Sequence, residues 1–285
     1  MKEILVLLIV NFILNLLVQQ KLLPSQFTYI NLILTSVLSV YTATKKININ
    51  LKNVNTTISE GTAYMYPLIM SFVIFIIYMI IKNFKTNKEL ILGIIFYTSI
   101  ISNLTNLINI DNKIIIGIIV SWFIFTYLNK NKYSHLKLYI NNIIAILVAL
   151  SSIGTINVSN MKTIIILLIG LFLFDIFWVF GSKKVIGEGV MESVATNIDA
   201  PIMLKFFNNN KVRDTMILGL GDIVIPALFI KSLVGTPHYN KSIISYVVGL
   251  IFTVLSAVVF KNGQPALLYI VPSLLIPYFL IPSNN

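Results

Sequence analysis

Stretches of about twenty residues with almost no charge recur along this 285-residue chain, and that is the length a helix needs to cross roughly 30 Å of hydrocarbon. Nine such runs lie approximately at 27–44, 62–81, 90–110, 114–128, 138–156, 163–181, 215–234, 243–260 and 265–281. They are continuously apolar and lack the period-two alternation of a barrel wall, so they are predicted as helices. The expected fold is all-α: a polytopic membrane bundle of about nine transmembrane helices. A chain that is 57% hydrophobic and only 11% charged is too apolar for an ordinary soluble domain.

Composition also removes several kinds of chemistry. The chain has no cysteine, which excludes disulfides, thiolate metal sites and a catalytic thiol. Its two histidines, His135 and His238, fall in separate polar connections, so no metal site is expected. A net charge of +11 would suggest nucleic acid in a soluble protein. Here the lysines stand between apolar runs, where they face lipid headgroups, so the expected surroundings are a lipid bilayer and no nucleic acid.

The chain divides into an N-terminal hydrophobic segment (1–26), an N-terminal group of about five spans (27–160) and a C-terminal core of three to four spans (161–285). The first segment, "MKEILVLLIVNFILNLLVQQK", is either a signal peptide or a short extra span. No clear small-x-small cleavage site follows it, which leans towards a retained segment. The longest hydrophilic connection runs from Ser182 to Asp214.

Of the ten acidic residues, eight lie outside or at the margins of the runs. Only Asp175, within "LFLFDIFWVFG", and Asp222 lie inside. An aspartate at the centre of a membrane helix costs about 3 kcal/mol on insertion scales, so such acids are functional candidates by default. Consecutive helices are antiparallel. Asp175 stands about six residues before the end of its span and Asp222 about seven after the start of the next, each roughly 9 to 10 Å from the same membrane face. Two carboxylates at one level that approach each other share a proton, one accepting from a water and the other donating to an oxyanion, as in an aspartic protease. Two other readings remain open on topology alone: a proton or cation relay in a transporter, and a structural polar contact between helices.

Three segments decide among these by resemblance. Asp222 lies in "LGLGDIVIPALFI", which carries Gly-x-Gly-Asp as Gly219, Leu220, Gly221 and Asp222. Near the C-terminus "QPALLYIVP" carries Gln264 and the triplet Pro265-Ala266-Leu267. Together with "FDIFWVFG", in this order and on these runs, they resemble the signature segments of the presenilin and signal peptide peptidase family of intramembrane aspartyl proteases. The flanks are closer to signal peptide peptidase. The resemblance is closest over 163–281 and extends loosely to about residue 60, where "ISEGTAYMYPLIMSF" is similar to the family's second span.

The resemblance implies a presenilin-like bundle in which Asp175 and Asp222 are the catalytic pair, water is the nucleophile and no cofactor is needed. Phe174, Gly219, Leu220, Gly221, Gln264, Pro265, Ala266 and Leu267 are then expected to shape the active site or bind substrate. The glycines admit a substrate backbone or neighbouring helix close to Asp222. Pro265 starts a span without costing an internal hydrogen bond, leaving backbone groups that can pair with an extended substrate. Implied partners are transmembrane-helix peptides, namely remnant signal peptides and type II membrane segments, and a possible second copy of the chain, in the endoplasmic reticulum membrane. The alternatives are a proton-coupled transporter or leak channel and a non-catalytic scaffold for membrane helices.

The chain departs from the family pattern at three places. Phe174 stands where the family usually has Tyr, which removes a hydroxyl near the site. Ala227 follows Pro226 where glycine is expected, and the Ser182 to Asp214 connection is several residues longer than usual. Orientation is in conflict. If the N-terminal segment does not cross, fourteen of the 21 Lys and Arg residues fall on the face shared by the N-terminus and that connection, which the positive-inside rule puts in the cytosol, whereas signal peptide peptidases put it in the lumen. The resemblance is preferred, because Lys is inflated by composition throughout the chain.

Overall fold

Apolar runs without internal turn signals become helices almost everywhere, since only a helix satisfies its own backbone in an apolar setting. The computed structural model of the chain describes residues 2–19, 24, 27–46, 56–84, 87–107, 111–129, 134–198, 200–207, 215–260 and 263–280. The first half contains α1 (Lys2–Gln19), α2 (Phe27–Lys46), β1 (Thr56–Ile58), α3 (Glu60–Asn83), α4 (Lys88–Leu107), α5 (Asn112–Leu128) and α6 (Ser134–Thr155). It is followed by β2 (Ile156–Val158), α7 (Met161–Ile176), a π-helical turn (Phe177–Gly181), α8 (Ser182–Val185) and α9 (Val190–Asn197). The remainder is β3 (Met203–Phe207), β4 (Thr215–Gly219), α10 (Gly221–Ser232), α11 (His238–Phe260) and α12 (Leu267–Leu280).

Among the described residues, five helices are long and apolar enough to cross a membrane: Phe27–Lys45, Glu60–Asn83, Leu136–Thr155, Met161–Val185 and His238–Phe260. Asn112–Leu128 and Leu267–Leu280 are shorter apolar helices. Residues group into two compact units that interleave along the sequence, one from Met1–Val54, Ser99–Thr155 and Ala200–Ala227, the other from Asn55–Thr98, Ile156–Asp199 and Leu228–Asn285.

In the first unit, α2 packs on α1 and α6 through an unusually polar face. Thr28, Asn31, Thr35, Ser36, Ser39 and Thr42 are all buried. Three of the hydroxyls bond back along the helix: Ser36 donates to the Leu32 carbonyl at 2.8 Å, Ser39 to the Thr35 carbonyl at 2.7 Å and Thr42 to the Leu38 carbonyl at 2.8 Å, one turn back. Asn11 of α1 adds a cross-helix bond to the Thr35 hydroxyl at 2.7 Å. The Ser/Thr-rich run thus remains helical while burying its polar side.

In the second unit, a short parallel ladder pairs β1 with β2, Thr56 opposite Ile156 and Ile58 opposite Val158. It sets the starts of α3 and α7 side by side, each capped by a side chain. Ser59 accepts from the Thr62 amide and Asn160 from the Thr163 amide. Below the caps α3 and α7 approach closely, because Gly170 leaves room for the Pro67 ring. The exposed Glu60–Lys162 ion pair at 3.1 Å contributes little beside this packing. Helices α11 and α12 also pack tightly, with Gly249 against the backbone of Ile270.

One sequence expectation is corrected. The run at 215–234 is not one helix, and the fold is therefore not purely helical: residues 215–219 form β4, antiparallel to β3, and α10 begins only at Gly221. A short apolar run cannot be told from a strand by periodicity, and Gly219 and Gly221 weaken any helix through them. The hydrophilic connection from Ser182 is also structured. Its described part forms α8, α9 and β3 and buries Val190, Val194, Ile198, Leu204 and Phe206. Asp199 and Asp214 lie outside the described residues.

The Gly249 contact yields a test. A methyl at Gly249 would meet the Ile270 Cα at 2.8 Å, whereas one at Gly117 in α5 would meet nothing within 4 Å. Gly249→Ala is therefore expected to cost about 1–3 kcal/mol and lower the melting temperature in detergent by several degrees. Gly117→Ala, which removes a helix-interior glycine, is expected to leave it unchanged or raise it slightly.

Candidate active site

Asp175 occupies the last turn of α7, in the second unit. Immediately after it the helix widens into the π-helical turn Phe177–Gly181, a feature that re-aims side chains. The widening is held by aromatic packing. Trp178 is buried and donates its indole N–H to the Ser71 hydroxyl of α3 at 3.1 Å, and Ser71 donates to the Pro67 carbonyl at 2.7 Å. The Phe177 ring meets Trp178 edge-on at 5.4 Å, and Phe174, half-buried, lies 6.4 Å from it. Trp178 therefore serves packing, and Phe174 is part of that same cluster.

The Asp175 side chain is 6% exposed, and its Oδ2 accepts a hydrogen bond from the Leu267 main-chain N–H at 3.0 Å. Leu267 is the first residue of α12, where a helix has amides with no partner of their own. The Pro-Ala-Leu triplet builds that start. Buried Pro265 has no N–H to leave unpaired, and the Ala266 carbonyl accepts from the Tyr269 and Ile270 amides at 3.1 Å each. The Thr253 hydroxyl of α11 reaches the same carbonyl at 3.4 Å. Asp175, Pro265, Ala266 and Leu267 thus form one local assembly, with Gln264 half-exposed just before it.

Asp222 lies in the first unit, in the first turn of α10 rather than midway along a span. Its position follows from the hairpin before it. Met203 pairs with Gly219 and Phe207 with Thr215, and the ladder continues as the Leu220 amide donates to the Ile202 carbonyl at 3.2 Å. The Leu220 carbonyl then accepts from Ile223 and Val224 at 3.1 and 2.8 Å, so strand passes into helix within one residue. A methyl at Gly219 would stand 3.3 Å from Asp222 Oδ2, while one at Gly221 would meet nothing within 4 Å. Leu220 is buried. Pro226 supplies no amide to the Asp222 carbonyl four residues earlier. The two acids therefore share one feature: Asp222 lies at the start of α10, and Asp175, in the last turn of α7, accepts from the start of α12, each of these two starts being entered from a non-helical segment.

A family model described as signal peptide peptidase matches residues 3–284. The chain belongs to the signal peptide peptidase family. It is a multi-pass membrane protein of a family of intramembrane aspartyl proteases. Among its relatives, intramembrane protease 2 of Caenorhabditis elegans is 37% identical over 168 residues, 49% of this chain and 35% of that protein. Human signal peptide peptidase is 37% identical over 147 residues, 47% of this chain and 37% of that protein. Signal peptide peptidase-like 1 of Arabidopsis thaliana is 28% identical over 190 residues, 48% and 51% of the two chains. The matched segment thus spans about a third to a half of each relative's length.

Sequence reasoning missed two contacts in this region. The Leu267 amide to Asp175 was signalled only indirectly, by a proline at a helix start. The other is Asn142 of α6, which holds the outer edge of β3 at Lys205. No sequence signal marks it, since asparagine is abundant here at many neutral positions.

The Asp175 contact is separable from any chemistry. Asp175→Ala leaves the Leu267 amide buried without an acceptor and is expected to cost about 1–3 kcal/mol. Asp175→Asn retains an acceptor oxygen, so thermal unfolding in detergent should show a clearly lower melting temperature for the alanine variant than for the asparagine variant.

Proposed function

We propose that this protein is an intramembrane aspartyl endopeptidase in which Asp175 and Asp222 are the catalytic pair. The observation that supports it is the shared setting of the two acids. Each lies in a motif of the family, and each is set against a helix start, where main-chain amides lack helical partners: Asp222 in the first turn of α10, and Asp175, from the end of α7, on the first amide of α12. In this reading one carboxylate takes a proton from water as the oxygen attacks the scissile carbonyl. The other donates its proton to the developing oxyanion, and on collapse of the tetrahedral species a proton passes to the leaving amine. Gly219 and Gly221 leave the approach to Asp222 low enough for a substrate backbone.

A peptide in a helix hides its carbonyls, so a substrate segment must unwind before it is cut. Extended chain is then stabilised by pairing with exposed backbone groups, and β4 leads directly into Asp222. The substrates in this reading are remnant signal peptides and type II membrane segments. The fold is a presenilin-like bundle of about nine spans, resident in the endoplasmic reticulum membrane and able to associate with further copies of itself.

Purified protein in detergent, given a labelled signal-peptide helix, is expected to release cleavage products. Asp175→Asn and Asp222→Asn should each reduce the rate at least about a hundredfold, and a hydroxyl-bearing transition-state analogue should block the wild type. A wild type that binds the peptide without cutting it, or that keeps its rate in either variant, overturns the reading.

The Leu267 amide has its own signature. Proline is tolerated at the first position of a helix, so Leu267→Pro removes the donor to Asp175 with little backbone cost. Its turnover is expected to fall on the order of tenfold below that of Leu267→Ala, which loses the side chain but keeps the N–H.

A further inference from the structure

Asn142 makes an arrangement that the proposed chemistry does not by itself explain. It lies on α6, is 0% exposed, and uses both halves of its amide on one residue of β3. Its Nδ2 donates to the Lys205 carbonyl at 2.8 Å, and the Lys205 amide donates to its Oδ1 at 2.9 Å. A side chain thus imitates the two hydrogen bonds of a neighbouring strand.

Strand geometry gives this contact a direction. The N–H and C=O of one residue leave a strand on the same side, and successive residues alternate. Lys205 faces Asn142 with both groups, so it turns them away from β4. The groups of Ile202, Leu204 and Phe206 turn towards β4, in agreement with the Leu220 amide on the Ile202 carbonyl. On β4 the partners of the outward-facing residues are Ile217, opposite Lys205, and Gly219, opposite Met203. Their main-chain groups therefore point away from β3, along the edge that ends three residues before Asp222.

We propose that Asn142 is a positioning residue for Asp222. It closes the outer edge of β3 at its middle residue and fixes the register of the hairpin. An extended chain is thereby left the β4 edge, and the place along that chain at which Asp222 acts is set. A shift of the hairpin by one residue would exchange its faces, turning Leu204 and Phe206 out of the core, so burial favours this register. Asn142 adds a fixed point to it from outside the ladder, at Lys205. This inference rests on the protease reading above.

The test compares wild type, Asn142→Leu and Lys205→Pro on one labelled transmembrane peptide, with product masses, kcat and KM measured alongside the melting temperature. The leucine removes both bonds at similar volume. The proline removes the Lys205 N–H, which lies outside the β3–β4 ladder, together with the lysine side chain, whose loss alone is read from Lys205→Ala, and so serves if the leucine variant does not fold. Either variant is expected to move or broaden the cleavage positions by one or two residues. The same variant should lower kcat at least fivefold while KM changes less than twofold. Unchanged positions with kcat lost only in proportion to folded protein would make Asn142 merely structural and overturn the proposal. If the wild type itself cuts nothing, the protease reading fails and this inference fails with it.

Discussion

The hydrogen bond from the Leu267 amide to Asp175 expresses the constraint on which the whole structure depends: in apolar surroundings every main-chain N–H and C=O needs a partner. Helices meet that demand internally, which is why most of the chain is helical. At several interruptions among the described residues, a specific group supplies what the helix would have supplied. Asp175 serves the start of α12, β3 and β4 serve each other, and Asn142 serves the outer side of β3. Ser59 and Asn160 do the same for α3 and α7.

This explains why the interruptions coincide with the candidate site. Chemistry on a peptide bond needs polar groups that are not consumed by a helix, and a helix start is the cheapest place to keep them. Gly219 and Gly221 carry strand β4 into α10 and Pro265 precedes α12, so each acid meets backbone that is not yet helical. The π-helical turn after Asp175 belongs to the same pattern. Its aromatic residues fill the widened turn, and the bond from Trp178 to Ser71 holds it against α3. Phe174 joins that packing, a role that a phenyl ring fills without a hydroxyl.

Much of this was legible in the order of residues. Asp175 and Asp222 stand out because a charge inside an apolar run is costly, and the motifs around them carry a family resemblance that is closest over 163–281. The strand at 215–219 was not legible. "TMILG" is apolar throughout, and only its partner "MLKFF" decides between helix and strand. The burial of the connection after Ser182 was hidden for a related reason. Its apolar residues are few and spaced, so their common face appears only once α9 lies against α3.

The sequence by itself determined that the chain is a multi-span helical membrane protein, and which two acids and three motifs single it out, because transfer cost and local pattern are properties of neighbouring residues. Only the tertiary structure decided what those motifs do to one another. That Leu267 donates to Asp175, 92 positions away, and that Asn142 holds Lys205, 63 positions away, depends on partners brought together by packing. The motifs mark the segments but not the pairings, because a main-chain amide is the same at every residue and a buried asparagine reads like an exposed one.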